Sequence, residues 1–113
     1  LKVAIVESGA GYVRYLMDRL DEKYARFNAT SCLSRPPSEY IRENFWFVMD
    51  PSEGSIDAQC DLVGEENFLW GSDYPHVDSH LTAMQELHAA LEPMSERRRN
   101  LVLGGNARKL FRL

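Results

Sequence analysis

Three short apolar runs, residues 2–7, 44–49 and 67–72, alternate with longer segments whose apolar residues recur at helical spacing. This alternation is the strongest constraint on the fold. A continuous apolar run suits a strand buried on both faces of a parallel sheet. Residues 12–24 then switch period. Tyr12, Val13, Leu16, Met17, Leu20 and Tyr24 form one stripe, with Arg14, Asp18, Arg19 and Glu22 opposite. The order read along the chain is β-α-α-β-α-β-α-α-α. Such alternation predicts parallel βαβ units with right-handed crossovers.

The punctuation agrees with this order. Residues 25–35 have no period and read as a loop. Residues 36–43 read as a short helix opened by Pro36-Pro37, where a first turn tolerates proline. After the loop 50–54, residues 56–63 read as a helix with Ser55 as N-cap and Gly64 as its stop. The loop 73–78 leads into a long helix, 79–92, whose apolar side is Leu81, Met84, Leu87, His88 and Leu91. Pro93 ends it. Ser95 caps a helix over 96–103 that stops at Gly104-Gly105. Asn106 caps a last helix burying Leu110, Phe111 and Leu113. With 113 residues the chain holds one domain, 1–113, and no internal repeat or second boundary is visible.

Three parallel strands do not close a barrel, and as an open sheet they leave two edges unpaired. A small flavodoxin-like sheet is the alternative. Ser8-Gly9-Ala10-Gly11 follows the first strand, but the full G-x-G-x-x-G spacing is absent, and no P-loop Gly-Lys-Ser/Thr occurs.

The net charge of −4 argues against a nucleic-acid partner, which would want a basic face. Arg97-Arg98-Arg99, beside Glu96, reads as a solvated helix face. Cys32 and Cys60 have no His or Cys at zinc-finger spacing, and nothing else points to a secreted disulfide scaffold. Residues 1–6 are apolar but too short for a signal segment or a membrane span. The expected setting is cytoplasmic, with a small-molecule substrate, neither a nucleic acid nor a membrane as partner, and a homo-oligomeric state. The chain opens on Leu1 inside a β-like run, with no initiator Met, so upstream sequence is expected.

The residues that could carry chemistry sit at strand ends. Asp73 in Trp70-Gly71-Ser72-Asp73-Tyr74-Pro75-His76 directly follows the third apolar run, where parallel α/β folds place their ligand sites. A carboxylate there can bind a divalent metal or pass a proton. It can equally cap the turn that follows. Glu7 ends the first run in the same way and would lie on the same face, with an ordinary loop carboxylate as the alternative. His76 and His80 are four apart with Asp78 between them, a metal-like spacing placed by Pro75 in a loop rather than on a helix. Tyr74, next to Asp73, is the candidate pocket wall. His88 lies on an apolar stripe and reads as a packed core histidine. Trp46, Phe47 and Trp70 read as core and Cys60 as a buried, inert thiol. Ser72 lacks the flanking glycines of a nucleophile elbow, and no Ser/His/Asp triad can be assigned.

Taken together, residues 1–13, Leu20-Asp21, Pro37-Ser38-Glu39-Tyr40, Phe68-Leu69-Trp70-Gly71-Ser72-Asp73-Tyr74-Pro75-His76 and Gly105-Asn106-Ala107-Arg108-Lys109-Leu110-Phe111 resemble the amidohydrolase-related family. This is the branch of the amidohydrolase superfamily that contains aminocarboxymuconate-semialdehyde decarboxylase. The resemblance runs the length of the chain. It implies an α/β fold in which these residues form the last three β/α units of a (β/α)8 TIM-type barrel, with flanking helices and further C-terminal helices. It implies a metal-dependent hydrolase or decarboxylase acting on a small organic substrate, with zinc, or else manganese, in the intact enzyme. Asp73 would be the metal-binding or proton-handling aspartate; beside it, Tyr74 and His76 are the candidate substrate contacts. Glu7 stands where the decarboxylases carry a catalytic histidine. The family's His-x-His pair and its strand-five histidine have no counterpart here, so little or no metal and no activity are expected of these residues alone. A non-catalytic barrel remnant that self-associates through open strand edges is the alternative.

Overall fold

Phe45, Phe47 and Met49 alternate with Trp46 and Val48 along strand β2 (Phe45–Met49), and this alternation organises the molecule. The computed structural model describes residues 1–27, 32–77, 79 and 81–113. In it, β2 is the centre of a parallel sheet ordered β1-β2-β3, between β1 (Val3–Ile5) and β3 (Phe68–Trp70). The register sets Ile5 beside Phe47, and Phe47 beside Phe68. These residues therefore share one face, the one that meets the helices.

The helices are α1 (Val13–Phe27), α2 (Pro37–Asn44), α3 (Ile56–Val63), α4 (Ala83–Leu91), α5 (Glu96–Asn100) and α6 (Asn106–Phe111). Their inner positions meet the sheet in one core. Val13 and Met17 of α1, Ile41 of α2, Ile56, Cys60 and Val63 of α3, and Leu87 and Leu91 of α4 cluster with Phe47, Met49 and Phe68. The aromatic rings of Tyr12, Phe45 and Phe68 all approach Phe47 at 6.4–6.5 Å between centroids. The opposite face of the sheet is also apolar, yet Ala4 is exposed and Trp46 and Val48 are only half-buried. Lys2 lies 5.2 Å from the centroid of the Trp46 ring on that side.

Local polar bonds set where the helices start and stop. Pro36 has no side chain with which to cap α2, and Asp21 of α1 accepts the Ser38 N–H instead, at 2.9 Å. Gly64 ends α3 with φ 138°, a conformation costly for other residues, and its N–H returns to the Cys60 carbonyl. Ser95 caps α5 by accepting from the Arg98 N–H at 3.3 Å.

Several expectations need correction. Ser55 stands at the N-cap position of α3 without a side-chain bond. Helix α4 begins at Ala83, not 79, and buries Ala83, Leu87 and Leu91. This stripe advances by four residues at a time, so Met84 and His88 lie about 100° around the helix from it. Both are exposed, and His88 is not a core histidine. Gly104-Gly105 does not stop the chain. A π-type turn (Leu101–Gly105) carries it from α5 into α6. Leu110 is half-buried, while Phe111 and Leu113 are exposed, because Arg112 turns the chain outward in the left-handed region.

Asn106 is not a cap either. It is the first residue of α6, fully buried, and its amide donates at 2.8 Å to the carbonyls of Glu65 and Phe68. Asn67 does the same one strand earlier, donating at 2.8 Å to Arg42 and Phe45. Each asparagine closes the N-terminal entrance of a strand. Arg98 is likewise not simply a solvated charge. It pairs with Asp57 and Asp61 of α3 and with Glu65, and its side chain is 19% exposed. Among the described residues, no helix is long and apolar enough to cross a membrane.

Candidate functional site

At the C-terminal ends of all three strands lies a cleft of about 520 Å³. The sequence folds this way because the chain turns sharply just beyond β1 and just beyond β3. Glu7 leaves β1 with φ 57° and Asp73 follows β3 with φ 54°. Non-glycine residues in the left-handed region cost about 1–2 kcal/mol and concentrate at functional sites. Gly71 lets β3 run close to β2: a Cβ there would meet Val48 Cγ1 at 3.3 Å.

Glu7, Asp50, Ser72, Asp73 and His76 contribute the polar lining, over an apolar floor that includes Val48 and Trp70. Asp73 and His76 act as a pair. Asp73 Oδ2 lies 2.9 Å from His76 Nδ1, and the His76 N–H donates to the Asp73 carbonyl at 2.7 Å. The turn between them contains a cis Tyr74-Pro75 bond. This arrangement orients the imidazole and holds one carboxylate oxygen in a fixed direction, a geometry suited to proton transfer. With Glu7 and Asp50 on the neighbouring strand ends, the cleft is acidic and would favour a cation or a substrate rich in donors.

Of the residues expected from sequence, Glu7, Asp73 and His76 are brought to one cleft. Tyr74 is not: its side chain is 79% exposed and lies outside the lining, because the turn carries it away from the sheet. Asp78 and His80 lie outside the described residues, and with them the His76–His80 pairing. Among the described residues, no group of three or more His, Cys, Asp or Glu side chains could hold a metal ion. A metal centre typically takes about three protein ligands, so these residues do not by themselves fit one.

One lining residue, Asp50, and one residue of the loop beside the cleft, Glu53, escape sequence reasoning. Asp50 directly follows β2, the strand-end position that singled out Glu7 and Asp73, and that position could have found it. Its carboxylate accepts from the backbone and hydroxyl of Ser52 at 2.8 and 2.7 Å. Glu53, in the same loop, accepts locally from the Asp50 N–H, but its other partners, the N–H groups of Ala10 and Gly11, lie more than 40 residues away, beyond any local signal. Away from the cleft, burial pushes the Cys60 thiol up to about 11, and Cys32 is exposed.

Comparison with known proteins adds the family. A search of curated proteins returned no match. Solved structures do match. An amidohydrolase from Mycobacterium avium subsp. paratuberculosis K-10 superposes with a TM-score of 0.85 at 24% identity, over 97% of this chain and 28% of that one. The 5-carboxyvanillate decarboxylase of Sphingomonas paucimobilis gives 0.78 at 29% identity, over 100% of this chain and 34% of that one. A dihydroxybenzoic acid decarboxylase from Polaromonas sp. JS666, solved with bound manganese and the inhibitor 2-nitroresorcinol, gives 0.74 at 22%, over 100% and 34%. The chain thus spans about a third or less of each of these structures. The model of the Amidohydro_2 family, described as amidohydrolase, matches residues 1–113, and the chain belongs to that family.

Proposed function

We propose that residues 1–113 form a single partial domain, the last three β/α units of a (β/α)8 barrel, and that their cleft is part of the active site of a metal-dependent enzyme. The convergence of Glu7 and Asp73 on one cleft at the C-terminal ends of parallel strands carries this reading, because barrel enzymes place their chemistry there. The partly uncovered apolar face, with Ala4 exposed and Trp46 and Val48 half-buried beside buried Leu69, supports it, since a barrel turns that face inward. The reaction is hydrolysis or decarboxylation of a small organic substrate, and the 29% identity to a carboxyvanillate decarboxylase favours decarboxylation of a carboxylated aromatic.

A divalent cation, zinc or manganese, belongs to the intact enzyme, with its remaining ligands supplied from outside these residues. When bound it would polarise the substrate's carboxyl or carbonyl group. Within this chain, Asp73 holds and passes a proton at its carboxylate while His76 fixes its direction. Glu7 is the second acid or base, and His76 contacts substrate, with Tyr74 at the outer rim. The 113 residues alone are inactive, and the intact protein is a cytoplasmic homo-oligomer that needs neither nucleic acid nor membrane.

The test is turnover and metal content of the full-length protein with a panel of carboxylated phenols and simple amides. Asp73→Asn is expected to lower kcat by about 10²–10⁴-fold, the range of general acid–base catalysis. Wild-type turnover in that variant would remove Asp73 from the mechanism. The second reading is a non-catalytic remnant that self-associates through the open edges of β1 and β3. The exposed apolar sheet face favours it, and a stable monomer of this chain in solution, measured by mass, would exclude it.

A further inference from the structure

The loop after β1 and the loop after β2 are joined by one carboxylate. Glu53 Oε1 accepts from the backbone N–H of Ala10 at 2.9 Å and of Gly11 at 3.1 Å. Its Oε2 accepts from Ala10 at 3.1 Å and from the N–H of Asp50 at 3.0 Å. The backbone is shaped to admit it. Gly9 has φ 62°, which glycine adopts without strain, and a Cβ there would meet Glu53 Oε1 at 2.8 Å, so a larger residue would push the carboxylate from its place. The glycine-rich turn after β1 is therefore an anion cradle of backbone amides whose occupant is a side chain of the protein itself. Gln59 of α3 adds a separate tie, donating to the Gly11 carbonyl at 3.1 Å, so this loop does not depend on Glu53 alone for its fold.

Both ends of this bridge lie at the cleft. Glu7 is three residues before Ala10, and Asp50 is itself a lining residue. We propose that Glu53 is the positioning residue of the cleft: by filling the amide cradle of residues 9–11 while holding the Asp50 N–H, it fixes the two strand-end loops that carry Glu7 and Asp50 relative to one another. The catalytic half of this inference rests on the cleft being the active site. The bridge itself does not.

The experiment replaces the carboxylate by a free one. In the full-length protein, Glu53→Ala leaves a carboxylate-sized space lined by amides, and sodium formate is the probe. Two quantities are read: the backbone amide resonances of Ala10, Gly11 and Asp50, and kcat with KM. The variant is expected to move those resonances and to lower kcat by about 10–100-fold with little change in KM, as loop misplacement of about 1 Å does. Formate at tens of millimolar should return the resonances saturably and raise kcat, whereas sodium chloride should do neither. Failure of formate to return the resonances overturns the cradle. Their return without a rise in kcat overturns the positioning role. If Glu53→Ala does not fold, Glu53→Gln, which keeps one acceptor oxygen, is expected to lose about threefold to tenfold in kcat, and wild-type kcat in it overturns the proposal. Equal turnover of wild type and Asp73→Asn would instead refute the catalytic reading of the cleft, while return of the amide resonances would still uphold the bridge.

Discussion

The two ends of the sheet are built on opposite rules. At the N-terminal ends of β2 and β3 the chain is closed: Asn67 and Asn106, each under 5% exposed, bind two carbonyls apiece. At the C-terminal ends it is open: Glu7 and Asp73 hold positive φ angles, and charged groups line a cleft. A buried carbonyl without a partner costs about 1–3 kcal/mol, so the closed end stores stability in single side chains. The open end carries strained backbone and a cluster of carboxylates, Glu7, Asp50 and Asp73, the last of them paired with His76. The fold thus separates the residues that hold it together from those that line the cleft.

The sharpest way to break this comparison is to change one residue at each end. Asp73→Asn should abolish most turnover and leave stability within about 0.5 kcal/mol, because asparagine accepts the left-handed region as readily as aspartate. Asn106→Leu should do the reverse. It strands the carbonyls of Glu65 and Phe68 and is expected to cost about 3 kcal/mol in urea unfolding, with kcat per folded molecule unchanged. If Asp73→Asn unfolds the protein, or Asn106→Leu is as stable as wild type, the division of labour fails.

Glu7 sharpens the same contrast. Glutamate at φ 57° is strained where glycine would not be. Glu7→Gly should raise stability by about 1 kcal/mol while lowering activity, the signature of a residue kept for its chemistry. A loss of stability would show that the Glu7 side chain is a structural partner instead.

How much of this could be read from the chain alone follows the range of the interactions. The strands and helices appear in the expected order because period and turn residues are local signals, and the strand-end positions of Glu7 and Asp73 followed from that order. The asparagine clamps did not appear. Asn106 stands before a helix and has the composition of a cap, but its partners are set by β3 and the turn before it, some 40 residues back. Glu53 is the extreme case, a loop carboxylate whose meaning exists only once two strands lie side by side. His88 misled for a different reason. An apolar stripe drawn five residues wide exceeded what a helix covered on one side can bury. Arg98 shows the remaining limit. A run of three arginines reads as solvated, and only packing reveals that the middle one pairs with three carboxylates.

That arginine gives the next smaller effect. Arg98→Met should cost about 1 kcal/mol at low salt, and the difference from wild type should shrink as ionic strength rises. A salt-independent loss would mean that the packing of the Arg98 stem, not its charge, joins α5 to α3.

The smallest effect concerns Cys60, behind the sheet and away from both ends. Burial raises its thiol from 9.0 to about 11, because the thiolate is poorly solvated among Ile56, Val63 and their neighbours, and the nearby Arg98 offsets this only in part. A group whose pKa is higher in the folded state favours folding fully below the unfolded value and loses that contribution as pH rises through the folded value. Between pH 9 and about 11 the unfolded chain ionises while the folded one does not, so stability should fall across that window. Lysines and tyrosines also titrate there, so the measurement is the difference between wild type and Cys60→Ala in urea midpoint at each pH. The gap should be constant up to about pH 9 and narrow above it. Below pH 9 a thiol reagent should meanwhile modify exposed Cys32 in the native state and Cys60 only on unfolding. Native-state modification of both would place Cys60 in a segment that opens on its own, and the wall behind the sheet would then be less rigid than the clamps at its entrance.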